Sequence, residues 1–461
     1  MPPLRILILL LGDIFVLLST YLITAYVLLL TQWIDFVSFG DYLWTEDGAQ
    51  QIGFLTFTLV AGLYWFGFYS NIQVRSRRRM TEDLLLVLGM SFLIQALLSY
   101  AKVALTLSRW VMVYGSSALI FVLIGWRLIY SIILLRIVGR QRVLLWGDSG
   151  LTRELGQHIV DNPEKGYEIV GCVKESGSGT GFTWGEEICE KDNLKNKLLG
   201  MRLDRICVAS RLSSNNALHR TLLECSMSGL RVENAGTLYE QVLQQVSLES
   251  LTFHNLIFDH ELRPRIWVVA LQNIYARLIA LVGILLTWPI MLLTALAVKL
   301  DSEGPAILRQ LRVGQNGEIF EILKFRSMYV DADKRFGRQR ASSQDPRITR
   351  VGRFIRVTRL DELPQFINVL RGDMTIVGPR PEMPEYVVEL TEKIEFYPQR
   401  LRVKPGITGW AQLHHKPEVG TEETKIKVQY DLYYIKNMSP ALDFLIMFHT
   451  LRAILLRVGA N

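Results

Sequence analysis

The chain has 461 residues, half of them hydrophobic, with a mean hydropathy of +0.22. That length leaves room for more than one domain, and the clustering of the apolar residues excludes an ordinary soluble protein. The formal net charge is +7, but the arginines flank apolar runs, which fits a membrane surface and not a nucleic acid partner.

Four apolar runs open the chain, at 6–30, 52–69, 84–105 and 111–135, each near the roughly 20 residues that cross a bilayer as a helix. The first is too long for a signal peptide and lacks a small-residue cleavage site, so it reads as a retained anchor. The 32–51 loop holds Asp35, Asp41, Glu46 and Asp47 and no Lys or Arg, whereas 71–80 holds Arg75, Arg77, Arg78 and Arg79, and Arg136, Arg140 and Arg142 follow the fourth run. Basic loops stay in the cytoplasm, so the chain is expected to cross four times and return inside near Gly139. Lys102 and Arg109 oppose this mildly; both can snorkel.

From Arg142 the pattern changes. VLLWGDSG, YEIVGCV and DRICVAS read as buried strands alternating with helices, which predicts a parallel α/β sheet of doubly wound, Rossmann-like type. The 147–153 segment carries only part of a dinucleotide fingerprint, and Asp148 places a negative charge where a pyrophosphate would come. Cys172, Cys189, Cys207 and Cys225 have neither zinc nor redox spacing and read as reduced and buried.

A fifth apolar run, 278–298, would naively carry all that follows across the membrane. Arg263, Arg265 and Arg277 precede it, and Lys299, Arg309 and Arg312 follow, so both ends look cytoplasmic. Pro289 sits mid-run and removes a helical hydrogen bond, and Thr287 could re-satisfy a freed carbonyl. A bent, re-entrant helix is expected; an ordinary kinked crossing is the alternative.

The chemistry lies after Asp301. Asn316-Gly317 between apolar runs predicts a hairpin. Arg347, Arg350, Arg353, Arg356 and Arg359 recur every third residue, as a headgroup-facing surface or a phosphate cradle. Asp361 and Glu362 follow in RLDELPQ. Adjacent acids do not face the same way on a helix, so they are no glycosidase pair; they can divide the work, one attacking and the other binding a divalent metal. The arginines are expected to hold Asp361 ionised. Gly378-Pro379-Arg380-Pro381 presents one arginine on a rigid turn.

KFRSM, RLDELPQ, GDM, VGPRPE, RVKPGITGWAQ and QYDLYYIKN, in this order over about 275–457, resemble the bacterial polyprenyl-phosphate hexose-1-phosphate transferases, the initiating sugar transferases of exopolysaccharide, capsule and O-antigen synthesis. The preceding four crossings and cofactor-poor α/β domain resemble the large-form members, and LLTWPIMLLTALAVKL resembles the exosortase-associated exopolysaccharide branch. The resemblance implies that Asp361 is the nucleophile on the β-phosphate of a UDP-sugar, that Glu362 binds Mg²⁺, and that Arg356 and Arg380 bind phosphate. It adds Lys324 and Arg326 of the basic KFR motif to the phosphate-binding set, and makes Pro289 the bend of the re-entrant helix. Polyprenyl phosphate is then the acceptor, UMP the product and the bacterial inner membrane the location. The expected fold is a membrane protein with a four-helix transmembrane bundle (1–138) and a Rossmann-like α/β domain without an intact dinucleotide motif (139–262). A linker and re-entrant helix follow (263–300), then a monotopic α+β catalytic domain on the cytoplasmic face (301–461) ending in an amphipathic helix at 442–458. A homo-oligomer is compatible with this reading.

Two positions depart from the family pattern. Ala280 stands where an Asp is common, and Leu413-His414-His415-Lys416 replaces an Asn-Gly-Arg stretch. Adjacent loop histidines read as plain surface before they read as ligands. Competing expectations are a membrane-anchored Rossmann-type sugar-modifying oxidoreductase and a non-enzymatic scaffold for polysaccharide assembly.

Overall fold

The computed structural model describes residues 2–31, 33, 38–44, 47–69, 77–100, 107–138, 140–174, 186–189, 197–198, 200–209, 216–258, 262–330, 345–414 and 420–455. They form two compact units, Met1–Leu243 and Gln244–Asn461.

In the first unit, helices Pro2–Leu30, Gly48–Trp65, Arg77–Tyr100 and Arg109–Val138 pack into a bundle around Leu9, Leu17, Ile52, Leu59 and Leu123. Among the described residues four helices are long and apolar enough to cross a membrane, three of them in this bundle, within Ile6–Leu30, Asp83–Tyr100 and Arg109–Tyr130. Gly48–Trp65, expected as the second crossing, is helical and packed in the bundle but is not among the four. Gln50, Gln51 and three glycines dilute its apolar character. The sequence reading missed a buried charge pair. Asp13, fully buried, accepts from Tyr69 Oη at 2.8 Å and Trp126 Nε1 at 3.0 Å and pairs with Arg127. A charge at that depth is tolerated only when partnered in this way.

Strands β1 (Gln141–Trp146), β2 (Tyr167–Lys174), β3 (Glu186–Cys189), β4 (Arg205–Val208) and β5 (Arg231–Asn234) form a parallel sheet in the order β3-β2-β1-β4-β5. Alternate residues of β1 enter two cores. Val143 and Leu145 meet helices Gly150–Asp161 and Ala235–Leu243; Leu144 and Trp146 meet Val173, Ile206 and Cys225. A strand covered on both faces is a continuous hydrophobic run, and each such side chain contributes about 1.5–3 kcal/mol on burial. After β1 the chain turns at Gly147, whose φ of +99° and approach to the Ala209 methyl leave no room for a side chain. Ser149 then caps helix Gly150–Asp161 in a capping box with Thr152. Arg153 closes on Asp148 with two hydrogen bonds of 2.7 and 2.8 Å. Asp148, the acid in the partial fingerprint, is thus paired within its own turn. Cys172, Cys207 and Cys225 are buried and in no disulfide among the described residues.

The second unit is organised around one 36-residue helix, Ile266–Asp301, about 54 Å long and the fourth of the apolar helices. Pro289 lies inside it. The Thr287 hydroxyl donates to the Gly283 carbonyl at 2.6 Å, not to the Leu285 carbonyl that the proline leaves without its helical partner. Gly283 lets this helix approach the ring of Phe366. Ala280 is completely buried in the same contact region, so an aspartate there would enter an apolar cluster. Gln272 fixes the helix in place: its Nε2 lies 3.1 Å from the Val377 carbonyl and 2.6 Å from Asp443 Oδ2. Strands β6 (Ile307–Val313) and β7 (Ile319–Phe325) form the expected antiparallel hairpin, with Asn316 and Gly317 both at positive φ in its turn. Strands β8 (Thr375–Val377) and β9 (Gly406–Thr408) form a short parallel pair. The last helix, Pro440–Leu455, exposes Phe448, Leu451 and Ile454. It is apolar outward as well as inward, not amphipathic as expected; positions 456–458 lie outside the described residues.

Candidate active site

The turn carrying the two acids is set by what flanks it. Thr349 Oγ1 accepts from Gly352 N at 2.9 Å and starts helix Arg350–Val357. The helix stops at Thr358, and Arg359, at φ 59° and ψ 15°, throws the chain into a single 3₁₀ turn, Leu360–Glu362. A left-handed arginine costs on the order of 1 kcal/mol and persists because its surroundings fix it. Leu360 and Leu363 anchor the turn against Val298, Phe325 and Ile355. Pro364 then leads into helix Gln365–Arg371.

The two acids are treated oppositely. Glu362 Oε1 lies 3.0 Å from Arg380 Nη2, 3.4 Å from Lys324 Nζ and 3.8 Å from Arg359 Nη1. Burial alone would raise its pKa, but Arg380, Lys324 and Arg359 outweigh burial and hold it near 2. Asp361 has Oδ1 buried with no hydrogen-bond partner among the described residues. Burial, and then the neighbouring Glu362 charge, push its carboxyl up to about 6 against the pull of Lys324, Arg356 and Arg359. The arginines, expected to hold Asp361 ionised, do so only in part, since desolvation raises the carboxyl to about 6 and leaves it mostly ionised at neutral pH.

Arg380 is aimed by a turn held at nearly every carbonyl. The Pro379 carbonyl accepts from Gly406 N at 3.0 Å, that of Arg380 from Arg400 Nη2 at 2.9 Å, and that of Glu382 from Val313 N at 3.0 Å. Arg312 Nη1 reaches the Pro381 carbonyl at 3.4 Å. A Cβ on Gly406 would stand 2.1 Å from Gly378 N, so both strands need glycine where they cross. Behind the turn, Arg400 pairs with Asp431 through bonds of 2.7 and 3.0 Å, both side chains about 2% exposed. Glu382 pairs with Lys427 and is held near 2, since Lys427 and Arg400 together overcome the effect of burial.

The structure thus brings Asp361, Glu362, Lys324 and Arg380 together. Arg356 joins them: its charge acts on Asp361, and its Nη1 is buried without a partner among the described residues. Arg326 has another task. Its guanidinium donates to the carbonyls of Ser302 and Glu303 at 2.7 and 2.5 Å, which ties β7 to the end of the long helix. The arginine run divides: Arg347 is buried on Asp345, and Arg350 and Arg353 are exposed. His414 Nδ1 lies 3.0 Å from the Trp410 carbonyl, with its ring stacked on Tyr430; His415 lies outside the described residues. Sequence reasoning missed Arg312, Gln365, Arg400 and Asp431. Asp431 did leave a signal, a lone acid on the same face as the buried Val428, Leu432 and Ile435.

Residues 267–457 match the family described as bacterial sugar transferase, and residues 65–188 match one described as a CoA-binding domain. The chain is 41% identical over 242 residues to the UDP-N-acetylgalactosamine-undecaprenyl-phosphate N-acetylgalactosaminephosphotransferase of Aeromonas hydrophila, covering 52% of this chain and 56% of that protein. It is 35% identical over 324 residues to the UDP-glucose:undecaprenyl-phosphate glucose-1-phosphate transferase of Xanthomonas campestris pv. campestris, covering 67% and 65%. It is 32% identical over 321 residues to the protein of the same name from Klebsiella pneumoniae, covering 68% and 67%. The match spans less than two thirds of the length of the first two of these relatives.

Proposed function

The chain belongs to the bacterial sugar transferases, and from that premise we propose that it moves a sugar-1-phosphate from a UDP-sugar to polyprenyl phosphate and releases UMP. One observation carries the reading. Asp361 is a half-buried carboxylate whose Oδ1 is buried without a partner among the described residues, set among Lys324, Arg356 and Arg359 and beside an acid paired with Arg380. A group so placed is desolvated enough to attack and still mostly ionised at neutral pH.

In the first step an Asp361 carboxylate oxygen attacks the β-phosphorus. The bond from that phosphorus to the oxygen bridging toward the α-phosphate breaks, and UMP leaves with that oxygen. In the second step an oxygen of polyprenyl phosphate attacks the same phosphorus, the bond to Asp361 breaks, and the carboxylate is regenerated with polyprenyl diphosphate sugar as product. No net proton or electron is needed, so the work is positioning and charge neutralisation. Arg356, with its free Nη1, and Arg380, clamped by Arg400, supply both. Among the described residues no group of three or more His, Cys, Asp or Glu could hold a metal alone. We propose magnesium as an ion shared with substrate, which the ionised Glu362 would hold together with the diphosphate. Once bound, it would neutralise charge on the diphosphate.

The membrane reading belongs to the same proposal. Arg263 and Arg265 before the Ile266–Asp301 helix, Lys299 in its last turn and Arg309 after it support a re-entrant helix with its bend at Pro289 and the catalytic domain on the cytoplasmic face of the inner membrane. Arg312 drops out of that count because it is half-buried against the Pro-Arg-Pro turn, with Nη1 toward the Pro381 carbonyl. A four-part division, with a Rossmann-like middle domain without an intact dinucleotide motif, belongs to the same proposal. The test of function is incubation with polyprenyl phosphate and a panel of UDP-sugars. UMP should appear with the parent and not with Asp361→Asn; equal turnover by both would end the proposal. Orientation is tested by a cysteine placed at Ser343, itself outside the described residues, which external reagent should not label in intact cells.

A further inference from the structure

We propose that Gln365 and Arg312 form the seat for the phosphate of the departing nucleoside monophosphate, a binding task separate from that of the two acids. The inference rests on the transferase reading. A small cleft lies beside the acids, lined by Arg312, Lys324, Gln365 and Arg380, with Pro381 and Gly406. Neither Asp361 nor Glu362 lines it, nor does any other carboxylate. Lys324 and Arg380 bond Glu362 with their charged ends and also line the cleft, so they stand between the acid pair and this space.

The cleft is short of acceptors. Gln365 is 2% exposed, yet its Nε2 has no hydrogen-bond partner among the described residues. The Arg312 fork is anchored, Nη2 on Gln310 Oε1 at 2.8 Å and Nη1 toward the Pro381 carbonyl, while its Nε is buried without a partner. Three cations and a glutamine with an orphan amide nitrogen line the same space, which calls for an oxyanion, and guanidinium with amide N–H is a donor set that phosphate satisfies. A diphosphate straddling Lys324 and Arg380 would put one phosphorus at Asp361 and its neighbour in the cleft. The neighbour of the β-phosphorus is the α-phosphate, which leaves as UMP.

Calorimetry on the full-length protein in detergent tests this with three probes: UMP, uridine, and a short-chain polyprenyl phosphate. Gln365→Leu should weaken UMP about tenfold, and Arg312→Gln at least as much, while uridine, which has no phosphate, changes less than about twofold. Gln365→Glu, which sets a carboxylate against the phosphate, should weaken UMP further without lowering the melting temperature by more than Gln365→Leu does. An unchanged UMP affinity in Gln365→Leu overturns the proposal. So does an equal loss for UMP and uridine, which would mean a damaged fold, or a loss confined to polyprenyl phosphate, which would assign the cleft to the acceptor. If the parent releases no UMP from any UDP-sugar, the transferase reading itself fails; if it does and UMP binding ignores Gln365, only this inference falls.

Discussion

Two turns in this chain leave a parallel strand through a glycine, and they end in opposite electrostatic states. After β1, Gly147 leads to Asp148, which is closed by Arg153, and to a helix capped by its own Ser149. After β8, Gly378 leads to Arg380, and around it Asp361 Oδ1, Arg356 Nη1 and Gln365 Nε2 are buried without partners among the described residues. The first turn has closed its own carboxylate, and the atom it leaves over is the neutral Trp146 Nε1, buried without a partner among the described residues; the second leaves a carboxylate, a guanidinium and an amide. Buried polar groups are normally paired, so a cluster of exceptions marks where a ligand belongs more reliably than a glycine pattern does.

The contrast is broken most directly by exchanging the charge at each turn. Asp361→Asn should cut UMP release at least about a thousandfold, whereas Asp148→Asn should leave it within about twofold. Similar losses from both would mean that the first turn also serves catalysis. Next in size is stability. Arg400→Met strands Asp431, 2% exposed, and should cost about 3–5 kcal/mol in thermal or denaturant unfolding. Asp148→Asn, whose partner Arg153 is half exposed, should cost less than about 1 kcal/mol.

The pH profile sharpens the same contrast. With Asp361 titrating near 6, UMP release should fall roughly tenfold between pH 7 and pH 5. Its folded pKa lies above the ordinary 3.8, so its contribution to stability is full below that value and is lost as pH rises through about 6. The melting temperature of the parent should therefore fall relative to Asp361→Asn between pH 4 and pH 7; a constant difference would place the carboxyl in water. The smallest effect is expected of Arg326→Lys, which should lower stability slightly and leave the KM for the UDP-sugar unchanged, because Arg326 holds backbone carbonyls and not substrate.

Local signals in the chain were sufficient for much of this. The β6–β7 hairpin followed from Asn316-Gly317, and the parallel sheet from uninterrupted apolar runs such as Val143–Trp146. The acid pair and Arg380 could be picked out because their motifs are contiguous. What could not be read depends on distance in the chain. Arg400 meets Asp431 and the Arg380 carbonyl across 31 and 20 positions, and Asp13 meets Arg127 across 114. Arg326 sits two residues from Lys324 yet points to different work, because the partners that decide the matter come from the end of another helix. The sign of the Asp361 shift was also out of reach: counting arginines says ionised, and only the burial of the turn shows that desolvation prevails.

The central claim is that Asp361 carries the phosphosugar. Intact-mass measurement of the protein after exposure to a UDP-sugar without polyprenyl phosphate tests it directly. The mass should rise by one sugar phosphate, peptide mapping should place it on Asp361, and adding polyprenyl phosphate should remove it. UMP release by the parent with no adduct at any time, or an adduct that persists in Asp361→Asn, would contradict the account.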